Sequence, residues 1–323
     1  FYLQPEGPSW PNHGPRLGNG QPIDKYLMDE TIALTKEYGN YASYCMFACG
    51  NEPSGRWVAW VSKFVDYWKA TDPRRVYTGA SVGNSWQWQP HNEYHVKAGA
   101  RGLSWAGAQP ESESDYRARI DTVKQPYVSH ETGQWCVFPN FNEIRKYTGV
   151  NKAKNFEIFR DILNDNHMGG QSYDFMMASG KLQALCYKHE IEKTLRTPDY
   201  AGFQLLALND YSGQGTALVG VLDVFFEEKG YINAEQFRRF CSPTVPLARI
   251  PKFVYANDET FHADIEVSHF GAAPLQGAKT SYTIKNKFGK VYAKGTVGTQ
   301  TIPIGNLCAL GSVDMNLKGI DTP

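Results

Sequence analysis

Two hydrophobic periods divide this chain, and the point where one replaces the other constrains the fold more than any single motif. Through the first three-quarters, short apolar runs alternate with longer stretches of helical spacing. After Cys241-Ser242-Pro243 the apolar residues fall on every second position. Strands alternating with helices imply a parallel sheet with helical crossovers, whereas period two implies strands with one buried face. The strand candidates are 1–4, 44–49, 75–79, 94–96, 127–129 and 203–208. The clearest helix is 56–70, where Trp57, Trp60, Val61, Phe64, Val65 and Trp68 fall on one face and Asp72-Pro73 follows as a stop. A second helix is expected over 23–38, with Leu27, Thr31, Leu34 and Tyr38 in register and Gly39-Asn40 ending it. Further helices are expected over 151–166 and 181–197, with Asn233 as the N-cap of a short one ending near Cys241.

Beyond the switch, His262 to Val267 and Ser281 to Lys285 alternate, and Phe288-Gly289 reads as a hairpin turn. A length of 323 residues exceeds what one core usually organises. The expected domains are therefore an α/β domain over 1–242 and a small β-sandwich over 247–323. The second is short against the roughly 100 residues of an immunoglobulin-like sandwich, so its last strands are expected to be missing.

Composition narrows the partners. Lys+Arg and Asp+Glu number 33 each, which leaves no basic field for nucleic acid. Aromatics make up 14% of residues, with 8 Trp and 19 Tyr, enough to supply stacking platforms for sugars besides filling a core. No apolar run reaches the roughly 18 residues that span a bilayer, so no membrane partner is expected. The six cysteines (Cys45, Cys49, Cys136, Cys186, Cys241 and Cys308) lack metal-site spacing and read as mostly buried thiols. No cofactor or metal is implied, and nothing excludes a homo-oligomer.

Two segments carry the chemistry. Met46-Phe47-Ala48-Cys49-Gly50-Asn51-Glu52-Pro53 takes an apolar run straight into a carboxylate, and Tyr127-Val128-Ser129-His130-Glu131-Thr132-Gly133-Gln134-Trp135 does so again. A carboxylate at the mouth of an apolar strand is costly unless it has partners or a use. Two such glutamates at the C-terminal ends of parallel strands are what a (β/α)8 barrel presents to one pocket.

In these segments the sequence resembles the retaining glycosidases with eight-stranded barrels, and in the order of its segments it is similar to glycoside hydrolase family 2, the β-galactosidases, β-glucuronidases and β-mannosidases. The matching segments are Tyr2 to Glu6 for the third strand, Met46 to Glu52 for the fourth, Val76 to Gly79 for the fifth, Tyr127 to Glu131 for the seventh and Gly202 to Asp210 for the eighth. The resemblance implies a TIM barrel lacking its first two β/α units, followed by an immunoglobulin-like sandwich. It also implies Glu52 as acid/base, Glu131 as nucleophile and Asn51 on the sugar 2-hydroxyl, with double displacement at terminal β-glycosides.

Several departures refine this. Pro8 stands where some family galactosidases place a magnesium-binding histidine, so no metal is carried over. Gln204 to Asp210 lacks the family's tryptophan platform, and Trp135 is expected to supply the stacking. The segment Glu227-Glu228-Lys229-Gly230 lacks the Asn that accompanies Lys in glucuronidases, which favours a neutral, galactoside-like sugar. Glu6, His95, Asn209 and Asp210 complete the expected substrate-binding set. His130, next to Glu131 on a strand, is expected to point to the opposite side, and Gly213-Gln214-Gly215 reads as a loop with no phosphate-binding role. An endo-acting glycanase of the same clan and a glycan-binding fragment without activity remain as alternatives.

Overall fold

The computed structural model describes residues 2–10, 14, 16–211, 213, 215 and 217–320. Phe1 and Gln214, each part of an expectation above, lie outside the described residues. The described chain divides into two compact units.

The first unit comprises 1–101, 117–132 and 199–204. Its strands are β1 (Met46–Ala48), β2 (Val76–Thr78), β3 (His95–Lys97), β4 (Tyr127–Thr132) and β5 (Tyr200–Leu205, its last residue assigned to the second unit). β1 pairs with β2 and β3 with β4, both in parallel. Single parallel bridges extend the array, from Leu3 to Tyr44, Glu6 to Ala48, Asn51 to Ser81 and Val82 to Lys97. The pairings described among the first five strand candidates are thus parallel, as strands joined by helical crossovers require. β5 completes the order β3-β4-β5, and no closed barrel is formed among the described residues.

Helices α1 (Pro22–Tyr38) and α2 (Trp57–Thr71) cover this array. In α2 the buried residues are Trp57, Val61, Phe64, Val65 and Trp68, five of the six expected from spacing, and Trp60 packs half-buried beside them. Their core includes Leu27, Tyr44, Phe47 and Tyr77, with Phe47 edge-on to Tyr44, Phe64 and Trp68. Each such side chain contributes about 1.5–3 kcal/mol on full burial. This packing holds the strand ends that matter below.

The second unit comprises 102–116, 133–198 and 205–323. Helix α4 (Lys154–Asp165) matches expectation within a few residues, the one-turn helix α3 (Arg117–Ile120) belonging to the first unit. Helix α5 runs Ser172–Leu195, starting nine residues before the expected 181. Gly180 lies inside this helix at a close approach, where a Cβ would clash with the Tyr231 ring. β5 likewise starts earlier than the expected 203, because Tyr200 is buried and its hydroxyl donates to the Ala100 carbonyl.

Asn233 caps the short helix α6 (Ala234–Arg238) with a full capping box: its side chain accepts from Gln236 N while Gln236 accepts from Asn233 N. From Thr244 the strands are antiparallel. β6 (Thr244–Arg249), β7 (Thr260–His269) and β10 (Gly305–Asn316) form an antiparallel sheet in the order β10-β7-β6, and β8 (Leu275–Lys285) and β9 (Val291–Ile302) form a hairpin. Val267, Ile302 and Leu310, from β7, β9 and β10, form one buried cluster, and β6 pairs with β7 from Thr244 onward. Among the described residues no helix is long and apolar enough to cross a membrane. All six cysteines are free; Cys49 and Cys186 are buried, Cys45, Cys241 and Cys308 half-buried and Cys136 exposed, against the expectation of mostly buried thiols.

Candidate active site

The end of β1 is held on both sides by its neighbours. Asn51 N donates to Ser9 O at 2.8 Å, Ser81 N to Gly50 O at 3.0 Å and Glu52 N to Ser81 O at 2.9 Å. The Ser9 side chain and carbonyl lie against Gly50, where a Cβ would stand 2.7 Å from Ser9 O. Held in this way, Glu52 adopts φ 43°, and at the end of β4 Glu131 adopts φ 53°. Of six described non-glycine residues with positive φ, these are the two predicted glutamates. Such a conformation costs of order 1–3 kcal/mol and persists only where surroundings impose it, which is characteristic of functional positions.

The left-handed residue at Glu131 also overturns the expected orientation of His130. Alternation holds only on extended backbone. With the chain kinked at Glu131, the His130 ring and the Glu131 carboxylate come to the same side: His130 Nε2 lies 3.7 Å from Glu131 Oε1 and 3.0 Å from Asn51 Oδ1. One ring nitrogen therefore touches the ends of both strands. Burial pushes the His130 pKa down, against the carboxylates of Glu131, Glu6 and Glu52, which favour its charged form; Arg101 acts with burial. All three carboxylates therefore act on one imidazole.

Each carboxylate has its own holder. Trp10 Nε1, on an indole that is 62% exposed, donates to Glu52 Oε2 at 3.1 Å. Arg101 Nη1 donates to the carbonyls of His130 and Glu131 at 2.7 and 2.8 Å, and to Glu131 Oε2 at 3.2 Å. Glu6 Oε1 accepts from Gln4 Nε2 at 3.0 Å and from the Ser81 hydroxyl. Glu52, Glu131 and Asn51 all remain partly solvent-accessible. Chemically this is a set of reachable carboxylates with fixed orientations, one beside a guanidinium and one beside an indole N–H.

The other expected residues have different surroundings. His95 opens β3, 5% exposed, with its ring edge-on to Trp88 and its Nε2 3.3 Å from Gln125 Oε1. In the second unit, Trp135 donates through Nε1 to Glu190 Oε2 at 2.7 Å, and Asn209 Nδ2 bonds the Asp210 carbonyl at 3.0 Å. Asp210, expected to bind hydroxyls, is instead sealed in the core at 1% exposed, with Lys229 Nζ 2.6 Å from its Oδ2 and Gly220 N bonded to its Oδ1. A buried charge has to find an internal partner, and Lys229 supplies it.

Trp10 and Arg101 were missed in the sequence. Trp10 follows the third-strand segment by four residues, an aromatic at a strand end, which is a usable signal. Arg101 has no comparable signal, since its role depends on where the chain turns after β3. Among the described residues no group of three or more potential ligands is arranged to hold a metal.

Comparison with known proteins adds a distant frame. A family model described as a domain of unknown function (DUF8488) matches residues 259–323. No curated protein matches the chain. Among solved structures, the chain is similar to one from Bacteroides fragilis provisionally described as a β-galactosidase (12% identity, 88% of this chain, TM-score 0.44). It is also similar to β-glucuronidases from Parabacteroides merdae (11%, 94%, 0.43) and Bacteroides uniformis (10%, 88%, 0.44). The chain spans 40%, 39% and 34% of those three chains respectively.

Proposed function

We propose that the chain carries the catalytic centre of a retaining, exo-acting glycoside hydrolase of the family 2 type, cleaving terminal β-glycosides, with Glu52 as acid/base and Glu131 as nucleophile. The observation that carries this reading is the meeting of two strand ends at one ring, with His130 Nε2 against both Asn51 and Glu131 and with both glutamates on left-handed backbone. In this reading the parallel array is an arc of a (β/α)8 barrel within residues 1–242, and the β-sandwich that follows is the family's next domain.

Double displacement fits the two environments. Arg101 holds the Glu131 carboxylate in place for attack, while Glu52 donates its proton to the leaving oxygen and then activates water. The Trp10 indole, a donor only, engages Glu52 Oε2 and leaves the proton to Oε1. Asn51 holds the sugar 2-hydroxyl. A neutral, galactoside-like sugar is favoured because Lys229, the nearest match to the glucuronidases' carboxylate-binding Lys, lacks the accompanying Asn and is paired with Asp210.

The test is hydrolysis of a panel of aryl β-glycosides, followed by azide rescue of Glu131→Gln and Glu52→Ala. The expected products are an azide of inverted configuration from the first variant and a β-glycosyl azide from the second. Normal turnover by Glu131→Gln, or the reverse pattern of products, would refute the roles. Release of oligosaccharides from a polymer, in place of monosaccharide, would move the reading to an endo-acting enzyme.

A further inference from the structure

The deepest constraint at this site lies on His130. Its ring is 7% exposed, its Nε2 faces two oxygens, and its buried Nδ1 has no hydrogen-bond partner among the described residues. Both neighbours of Nε2, an amide oxygen and a carboxylate oxygen, present lone pairs. Only a proton on Nε2 makes both contacts attractive, since a lone pair there would oppose two others. A second proton, on Nδ1, would be a buried donor with no acceptor among the described residues, left with an uncompensated desolvation cost. Burial acts in the same direction by disfavouring the imidazolium. The neutral Nε2–H form is therefore the one this geometry accommodates.

We infer that His130 is a positioning residue whose Nε2–H, donated to Asn51 Oδ1 at 3.0 Å with Glu131 Oε1 3.7 Å away, occupies the Asn51 carbonyl and so turns the Asn51 amide N–H group toward the sugar. This rests on the glycosidase reading above and deepens it by naming the polarity of the contact. With its oxygen engaged and no described residue accepting from its Nδ2, Asn51 acts as a donor. The site then selects a sugar whose 2-substituent offers a lone pair. Because the same ring stands 3.7 Å from the Glu131 carboxylate that Arg101 holds, the amide is fixed beside the nucleophile.

The experiment has two independent arms. The first is 15N NMR of the ring of His130 in the wild-type chain between pH 6 and 8. It should report a protonated Nε2 and an unprotonated Nδ1; the opposite tautomer, or an imidazolium across that range, overturns the inference whether or not the protein hydrolyses any glycoside. The second compares kcat/KM for an aryl glycoside and its 2-deoxy analogue. His130→Phe keeps the ring and removes the donor, and should shrink the preference for the 2-hydroxy substrate by about tenfold or more, since such contacts strengthen in the transition state. His130→Gln restores an N–H at similar reach and should recover most of that preference. Equal losses on both substrates in both variants would mark His130 as merely structural and refute its positioning role. Absence of wild-type activity on every glycoside would instead refute the glycosidase reading and leave the NMR arm to decide the inference.

Discussion

The two units each gather carboxylates, and they treat them in opposite ways. In the first, the charges of Glu6, Glu52 and Glu131 all act on His130 while the two predicted catalytic residues stay within reach of solvent on strained backbone. In the second, Glu143, Asp210 and Asp223 are buried at 1%, 1% and 2% exposed, with Lys229 paired to Asp210 and Lys146 to Asp223 and Glu227. Buried carboxylates with internal counterions are committed to structure. Reachable carboxylates held in a costly conformation have given up stability for availability. Clustering alone does not mark a site; exposure and backbone strain do.

The sharpest way to break this contrast is Glu131→Gln. If the first cluster is catalytic, hydrolysis of all substrates should fall by roughly 10^4-fold or more, with the chain still folded by circular dichroism. Near-normal turnover would put both clusters in the same structural class.

The second cluster should fail in stability. Lys229→Met leaves Asp210 buried without a counterion and should cost about 3–5 kcal/mol in denaturant unfolding. An unchanged midpoint would mean that the pair is not sealed.

A third measurement separates the clusters by pH. Burial, with Asp223 and Asp210 adding to it against Lys229 and Lys146, pushes the Glu143 carboxyl up to about 7 from 4.5. The folded state then binds a proton that the unfolded chain has released, so its contribution is full below about pH 4.5 and is lost as pH rises through about 7. Stability should decline across that window by up to about 3 kcal/mol. In Glu143→Gln this decline should disappear, and an identical slope in the variant would assign it elsewhere.

The smallest effect has the opposite sign. Glu52→Gly and Glu131→Gly relieve a left-handed residue, partly offset by the greater freedom of glycine in the unfolded chain, so stability should stay level or rise by up to about 1 kcal/mol. A loss of several kcal/mol would show that these glutamates support the fold.

Much of this was legible from residue order because it depends on local periodicity. The face of α2, the parallel strand segments, the Asn233 cap and the alternating strands after Cys241 all follow from spacing within one element, where each side chain's environment repeats with the backbone. The two glutamates were legible as well, since an apolar run ending on a charge announces itself. What only the tertiary structure decided involves partners far apart in the chain or a departure from the repeating backbone. Asp210 looked available at a strand end until Lys229, nineteen residues on, claimed it in the core. The place of Gly180 within α5 rests on the Tyr231 ring, which fills the space above it. His130 was assigned to the wrong side because alternation assumes extended backbone, and the positive φ of Glu131 is imposed by neighbouring chain segments, so no local pattern of residues encodes it.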